Sequence, residues 1–178
     1  MRIIQDIYNA VARLAGGDID ALDEIYTALS VRIFNYARTI TRSKELSEDV
    51  THDVFLRIHN IAARLAVMKN PVAYIMVTTR NLAYDHLRRG KYSSATLDEA
   101  NEAGIDVAPF NVLPDALSLL PANQRETVYL HHICGFTQKE VAKIMSVPLV
   151  TVKWRCGRAK KQLQEYFKPE EAQTNESI

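Results

Sequence analysis

The sequence has few of the residues that would place it in several common protein classes. Its two cysteines, Cys134 and Cys156, are too few and too far apart for a disulfide framework or a zinc knuckle. Only six glycines and six prolines interrupt the 178 residues, which favours a mainly helical chain. No apolar run approaches the ~20 residues that cross a bilayer, and the N-terminus lacks the segment order of a signal peptide. We therefore expect a cytoplasmic protein that is not itself a membrane protein.

The net charge is also close to zero, because the chain has 22 Lys and Arg residues and 21 Asp and Glu residues, which gives a formal charge of +1 at pH 7. These charges are unevenly distributed. Five basic residues and no acid lie between Lys153 and Lys161, whereas four acids and no Lys or Arg lie between Glu45 and Asp53. An average near neutrality therefore hides one positive surface and one negative surface.

Apolar residues recur at helical spacing through most of the chain without strand alternation, which predicts an all-α protein. We expect two small helical domains, residues 1–90 and 112–168, joined by a flexible linker, 91–111, and followed by a disordered tail, 169–178. Three helices are predicted in the first domain: Leu22 to Ile40, Val50 to Leu65 after an N-cap at Ser43 or Ser47, and Asn70-Pro71 to Arg88 or Arg89.

The segment from Thr137 to Leu163 has the pattern of a helix-turn-helix. Thr137 and Glu140 form a capping box, and Ser146-Val147-Pro148 interrupts the helix that follows. The inward apolar positions of the two helices are Val141, Ala142 and Met145, then Val152, Cys156, Ala159 and Leu163. A helical hairpin with a solvated basic face would share parts of this pattern. The capping box, the small Ala142, the turn and the one-sided charge nevertheless occur in the order that docking in the major groove of duplex DNA requires.

Two features of the first domain also need an explanation. The acids between Glu45 and Asp53 precede apolar Phe55 and form a negative surface, although acids near a helix N-terminus also simply favour the macrodipole. In the third predicted helix and directly after it, aromatic and basic side chains are interleaved: Tyr74, Arg80, Tyr84, Arg88, Arg89, Lys91 and Tyr92. Such tyrosines can stack on unpaired bases while arginines follow the phosphates, and core packing explains each tyrosine equally well.

In chain order, these pieces resemble the extracytoplasmic-function sigma factors, the small two-domain group of the sigma-70 family. The resemblance covers about Asp18 to Leu163. Four stretches carry it: GDIDALDEIYTALSVRIFNYA, SEDVTHDVFLRI, NPVAYIMVTTRNLAYDHLRR and LPANQRETVYLHHICGFTQKEVAKIMSVPLVTVKWRCGRAKKQL. It implies an alternative sigma factor that binds core RNA polymerase and directs promoter-specific transcription initiation.

The resemblance also implies the site residues. The second helix would dock on the clamp helices of the polymerase largest subunit through Glu48, Asp49, Asp53 and Phe55. The third helix would capture and help to melt the promoter −10 element through Tyr74, Arg80, Asn81, Asp85 and Arg88. The helix-turn-helix would read the −35 element as duplex DNA through Thr151, Lys153, Trp154, Arg155 and Arg158. Family members are commonly held inactive by an anti-sigma factor, which is the further partner implied.

The chain departs from the family pattern at a few positions. Glutamine is common in the family where His52 stands, and tryptophan is common near His59 and at Tyr74. The turn of the helix-turn-helix usually contains glycine where this chain has Ser146. Serine can adopt the turn at some cost in strain, so we expect the bend to differ slightly from that of the family.

Other functions have less support in the sequence. His131, His132 and Cys134 are near one another, but neighbouring helical side chains point to different faces and no acid is close in sequence, so no metal site is expected. No phosphate loop, nucleophile elbow or paired-carboxylate signature indicates an enzyme or a cofactor. A DNA-binding regulator that never joins a polymerase is the nearer alternative. It would need the helix-turn-helix, but neither the acidic surface nor the aromatic and basic helix.

Overall fold

A computed structural model of the chain describes residues 2–93 and 113–167. Within these two ranges the protein is helical and has no strand, which confirms the all-α prediction. The elements are α1 (Arg2–Ala15), α2 (Ala21–Thr41), α3 (Lys44–Asn60), α4 (Ala62–Ala66), α5 (Pro71–Ser93), α6 (Leu113–Ser118), α7 (Ala122–Val128), a π-helical turn (Tyr129–Ile133), α8 (Gln138–Ile144) and α9 (Leu149–Tyr166). No helix in the described part of the chain is both long and apolar enough to span a membrane.

The predicted linker and tail lie largely outside the described residues. Of the expected linker, 91–111, only residues 91–93 are described, and they are helical because α5 continues to Ser93 rather than ending at Arg88 or Arg89. The expected disordered tail, 169–178, is entirely outside the described part.

Local capping signals fix where the helices of the N-terminal half begin. The Ser43 side chain accepts a hydrogen bond from the backbone N–H of Leu46 at 3.3 Å, which makes Ser43, rather than Ser47, the N-cap of α3. Asn70 Oδ1 accepts from the backbone N–H of Ala73 at 2.9 Å, and Pro71 then opens α5 as predicted.

The predicted helix from Val50 to Leu65 is wrong in one respect, because it is divided into α3 and α4. Ile61 leaves helical geometry with φ −115° and ψ 18°, and a new short helix starts at Ala62. The break turns the chain so that Ile58 and Leu65, on either side of it, are both buried in the core. The apolar spacing continues across the break, so periodicity alone does not reveal the change of helix direction.

Helix α2 is the central element of the core. Its apolar stripe, Ile25, Leu29, Ile33 and Tyr36, has no solvent exposure, and the helix contacts α1, α3 and α5. Such complete burial of large side chains is the main source of stability for a domain of this size.

The helix-turn-helix is formed as the sequence predicts. Glu140 Oε2 accepts from the Thr137 backbone N–H at 2.9 Å, and Thr137 Oγ1 accepts from the Glu140 N–H at 3.3 Å, which completes the capping box. The predicted inward residues are buried or partly buried: Val141, Ala142, Met145, Val152, Cys156, Ala159 and Leu163.

The two halves of the protein pack against each other. Helix α2 contacts α7 and the π-helical turn, and α5 contacts α8. The rings of Tyr36 and Tyr129 stack across this interface with centroids 5.8 Å apart, and Tyr129 Oη donates a hydrogen bond to the Arg32 carbonyl at 3.2 Å. The Arg125 guanidinium donates to carbonyls of both halves, at 3.1 Å to Leu117 and 3.1 Å to Thr39. These contacts define one closed arrangement of the two halves.

The turn between α8 and α9 contains a strained residue. Ser146 has φ 55°, the left-handed region that glycine adopts without a steric penalty. Its backbone N–H donates to the Lys143 carbonyl at 3.2 Å, and the next N–H, of Val147, donates to Ala142 at 3.0 Å. These two bonds close the end of α8, so the conformation is fixed and the expected strain at Ser146 is confirmed.

Replacing Ser146 with glycine should stabilise the protein. Removal of Cβ relieves a left-handed conformation that costs about 1–2 kcal/mol, partly offset by the greater freedom of glycine in the unfolded chain. We expect Ser146→Gly to raise the free energy of unfolding by about 1 kcal/mol and the melting temperature by roughly 2–4 °C. Ser146→Ala keeps Cβ and is the control, with no gain expected. Thermal and urea denaturation measure both, and equal stability of the glycine variant and the parent would contradict the strain.

Candidate nucleic-acid and protein interfaces

Helix α9 presents a basic face on the side opposite its buried stripe. Successive helical residues are rotated by about 100°, so the burial of Val152 and Ala159 turns Trp154 and Arg158 outward. Lys153, Trp154 and Arg158 are exposed, while the other two predicted −35 contacts, Thr151 and Arg155, are half-buried on the flank of the same helix. The five predicted residues therefore lie on one accessible side of α9.

The charges on this face are available to a ligand. Within the residues that the structure describes, no carboxylate forms an ion pair with Lys153, Arg155 or Arg158. The Arg158 guanidinium lies 5.9 Å from the centre of the Trp154 ring, which is 58 % exposed. The arrangement is a flat apolar surface beside unpaired cations, and such a surface can contact both base edges and phosphates.

Helix α5 carries the predicted −10 residues on two different faces. Helical rotation places Tyr74, Asn81, Asp85 and Arg88 along one stripe. Asn81 and Arg88 are exposed, and Arg88 donates to Asp85 Oδ1 at 2.8 Å. Tyr74 is half-buried against the core, so both interpretations of this ring, packing and stacking, have support. Arg80 lies on a neighbouring flank, roughly a quarter-turn away from this stripe.

The Arg80 flank faces the C-terminal half and contacts a buried carboxylate. Arg80 Nε donates to Glu126 Oε2 at 2.9 Å, Tyr84 Oη donates to Glu126 Oε1, and Tyr36 Oη donates to Glu126 Oε2 at 3.4 Å. Glu126 is 1 % exposed and belongs to α7. Sequence reasoning missed Glu126, because nothing local in the stretch ANQRETV indicates that it meets α5.

The electrostatics of this cluster are those of one charged pair with neutral donors. Burial opposes the charged form of Arg80, but the charge of Glu126 and its hydrogen bond outweigh that effect and raise the arginine pKa. Burial, together with the hydrogen bond to Glu126 and its charge, raises the pKa of Tyr84 to about 12. Burial and the charge of Glu126 also raise the pKa of Tyr36. Both phenols therefore stay protonated and donate to the carboxylate.

The acidic surface of α3 is only partly open. Glu45, Glu48 and Asp49 are exposed, as are His52 and His59. Two predicted polymerase contacts are engaged within the domain instead. Asp53 Oδ2 lies 2.9 Å from His86 Nε2 on α5, and the Phe55 ring, 8 % exposed, packs at 4.7 Å from Tyr26. The exposed apolar side chains beside the acids are Leu56 and Tyr26, which the sequence did not single out as contacts.

The histidine pair of the π-helical turn has a structural explanation. The rings of His131 and His132 lie 4.6 Å apart, so the expectation that they point to separate faces is wrong. A π-helical turn winds more widely than an α-helix and rotates successive side chains less. His131 Nδ1 donates to the Phe136 carbonyl at 2.7 Å across the turn at Gly135, and burial raises the pKa of Cys134 to about 11. Among residues 2–93 and 113–167, no group of three His, Cys, Asp or Glu side chains could hold a metal ion.

Comparisons with known proteins match two separate regions of the chain. Residues 25–92 match the family description "Sigma-70 region 2" and residues 110–163 match "Sigma-70, region 4". The ECF RNA polymerase sigma factor SigK of Mycobacterium tuberculosis strain H37Rv is 24 % identical over 176 residues, which cover 92 % of this chain and 94 % of SigK.

Two solved structures share the fold. The sigma factor RpoE from Bartonella quintana, in complex with the anti-sigma factor NepR, matches with a TM-score of 0.68 and 21 % identity over 85 % of this chain and 99 % of RpoE. CnrH, in complex with the cytosolic domain of CnrY, matches with a TM-score of 0.63 and 19 % identity over 90 % of this chain and 96 % of CnrH. The two matched regions, together with a relative that aligns along 92 % of the chain, lead to one assignment: the protein belongs to the extracytoplasmic-function group of the sigma-70 family.

Proposed function

We propose that this protein is an alternative sigma factor that binds core RNA polymerase and directs transcription initiation at promoters with −10 and −35 elements. The observation that carries the proposal is the presence, in one chain, of an unpaired basic face on α9 and an exposed acidic face on α3. A DNA-binding regulator that acts without polymerase would need only the first. The protein supplies recognition, and the chemistry of nucleotide addition belongs to the polymerase, with which it acts in the cytoplasm.

The α9 face suits duplex DNA. A helix of this size enters the major groove, where Lys153 and Arg158 can reach phosphates or guanine acceptors and Trp154 can contact a thymine methyl group. Thr151 and Arg155 on the flank can then contact the adjoining backbone. We assign −35 recognition to these five residues and to the domain of residues 112–168.

The stripe on α5 suits unpaired bases. Asn81 offers both a donor and an acceptor, Arg88 offers a cation, and the half-buried Tyr74 offers the accessible part of an aromatic ring for contact with a base. Asp85 holds the Arg88 guanidinium on the stripe through their 2.8 Å contact. We assign −10 recognition to this stripe, together with Arg80 from the flank, in the domain of residues 1–90.

The exposed acids of α3 suit a basic surface on the polymerase, for which the clamp helices of the largest subunit are the proposed site. Glu48 and Asp49 are the strongest candidates, because their side chains are exposed and form no ion pair with a described residue. Asp53 and Phe55 can contribute from the edge, with the exposed Leu56 beside them.

We also propose a protein inhibitor of the anti-sigma type as a further partner. The support is that RpoE of Bartonella quintana, which shares the fold, was solved with the anti-sigma factor NepR. The protein isolated from its own cells should then co-purify with a second protein that releases it on addition of core polymerase. Recovery of free protein alone, under conditions in which its promoters are silent, would contradict an inhibitor.

The central test is transcription by the reconstituted holoenzyme. Mixing the protein with core RNA polymerase and a promoter library should yield specific transcripts with a shared pair of upstream elements. Tight binding to duplex DNA with neither transcripts nor association with core polymerase would favour the regulator without polymerase.

Reversing a charge on the open part of α3 should weaken core binding. Asp49→Arg places a cation against the basic surface proposed for the polymerase, and like-charge contact at an interface should lower the affinity by about tenfold or more. Binding is measured by titrating labelled protein with core polymerase. Glu165→Arg, an equal reversal at an exposed position of α9, is the control and should leave core affinity unchanged. Equal affinities for the two variants would remove Asp49 from the docking surface.

Removing cations from α9 should reduce the salt dependence of duplex binding. Each phosphate contact contributes about 0.9 to the slope of log K against log salt concentration. We expect Lys153→Ala and Arg158→Ala each to reduce the slope by about this amount if they contact phosphate. Arg64→Ala removes the same charge from an exposed position on α4 and is the control. Slopes that match the control would place both side chains outside the phosphate interface.

A further inference from the structure

Glu126 is a buried acidic side chain in the contact between the two halves. The carboxylate belongs to α7, yet its hydrogen-bond donors, Tyr36, Arg80 and Tyr84, belong to α2 and α5. Tyr36 also stacks on Tyr129 of the C-terminal half, and both rings are buried. The pairing of Glu126 is therefore satisfied only while the two halves are packed together.

The cost of burying this charge makes its partners decisive. A carboxylate that is 1 % exposed has lost its hydration, and the Arg80 ion pair with two phenol donors replaces it. Loss of one partner from such a pair leaves the other charge buried and unpaired, which is far more costly than loss of a surface pair. Separation of the two halves avoids this cost, because it breaks the Arg80–Glu126 contact and returns both groups to water.

The partners of Glu126 form a site that a nucleic-acid phosphate would also fit. The Arg80 guanidinium lies 4.7 Å from the centre of the Tyr84 ring, so a cation and an aromatic face stand side by side on α5. Guanidinium binds carboxylate and phosphate oxygens with the same fork of donors. In the closed arrangement, the carboxylate of Glu126 takes the Nε donor of Arg80 and the hydroxyl of Tyr84.

The closed arrangement also conflicts with reading a whole promoter. The −10 and −35 elements are about 25 base pairs apart, which is about 85 Å of duplex at about 3.4 Å per base pair. A compact chain of this length has a radius of gyration of about 16 Å, so it is about 40 Å across. Helices α5 and α8 are in direct contact, with Asn70 Nδ2 donating to Glu140 Oε1 at 2.9 Å. The stretch 94–112 can span at most about 65 Å when extended, which allows the halves to separate far enough.

We propose that Glu126 is an intramolecular latch that fills a DNA phosphate site formed by Arg80 and Tyr84, and that the halves must separate before α5 can bind promoter DNA. The inference rests on the proposed function for its biological meaning. The latch is selective between the two DNA-reading surfaces. It covers the Arg80 flank of α5, whereas Lys153, Trp154 and Arg158 on α9 stay exposed in the closed protein. Closed protein therefore binds duplex DNA through α9 but excludes single-stranded DNA from Arg80.

The test replaces the carboxylate and leaves its shape. Glu126→Gln in the full chain removes the charge that pairs with Arg80, so the open form should gain about tenfold or more in population. Small-angle X-ray scattering should show a larger radius of gyration than that of the parent. Affinity for a single-stranded DNA of mixed sequence and about 20 nucleotides should rise by about tenfold. Affinity for a mixed-sequence duplex of similar length at low salt should stay within about twofold, since α9 is unaffected.

Two further variants keep the outcome interpretable. Glu165→Gln makes the same substitution at an exposed position of α9 and should match the parent in size and in single-strand affinity. Tyr84→Phe removes only the hydroxyl that donates to Glu126, from a side chain that is 38 % exposed, and folding should not depend on it. It should increase the radius of gyration in the same direction as Glu126→Gln, by a smaller amount.

The result that would overturn the latch is distinct from failure of the proposed function. If the parent directs transcription with core polymerase but neither variant changes in size or single-strand affinity, the latch is wrong and the sigma-factor assignment stands. If the variants open as expected but no preparation binds core polymerase, the latch stands and the proposed function is wrong. Should Glu126→Gln fail to fold, lack of any change in Tyr84→Phe is sufficient to reject the latch.

Discussion

The ion pair between Arg80 and Glu126 is the contact on which the arrangement of the two halves depends. The apolar part of the interface, where Tyr36 stacks on Tyr129, favours contact but does not by itself fix an orientation, because apolar burial is non-directional. A carboxylate that is 1 % exposed does restrict the orientation, because it is stable only where its hydrogen-bond donors are within reach. The same contact sets which flank of α5 is covered and which stripe stays open.

The helices and their ends could be predicted because the signals for them are local. Ser43, Asn70 and the capping box at Thr137 are recognised within three or four residues, and the structure places a helix start at each. The break at Ile61 was missed because the apolar stripe runs on through it. The extension of α5 to Ser93 was missed because its last turn has a polar composition that also suits a linker. In both cases, a periodic pattern gave the type of element and not its limit.

The site residues were predictable as surfaces rather than as individual contacts. On α9, periodicity correctly separates the buried Val152 and Ala159 from the exposed Trp154 and Arg158. It can do so because the buried and exposed faces of a helix follow from the sequence of that helix. It cannot tell that Asp53 pairs with His86, or that Phe55 packs against Tyr26, because those partners come from other helices. Glu126 is the extreme case. Its donors are 42 to 90 residues away in sequence, so its role depends wholly on tertiary packing.

A latch of this kind limits non-specific binding of a protein with exposed cations to the nucleic acid that is abundant in the cell. Non-specific binding to DNA has dissociation constants of about 10⁻⁴–10⁻⁶ M, whereas a group tethered in the same chain competes at an effective concentration of millimolar order. In the proposed scheme, Glu126 therefore competes with nucleic-acid strands for Arg80 at a local concentration that does not depend on the concentration of the protein. Core polymerase and a −35 element engage α3 and α9 at the same time, and their combined binding energy can open the halves where a lone strand cannot. Near-neutral net charge has the same effect, because it weakens long-range attraction to DNA until both partners are present.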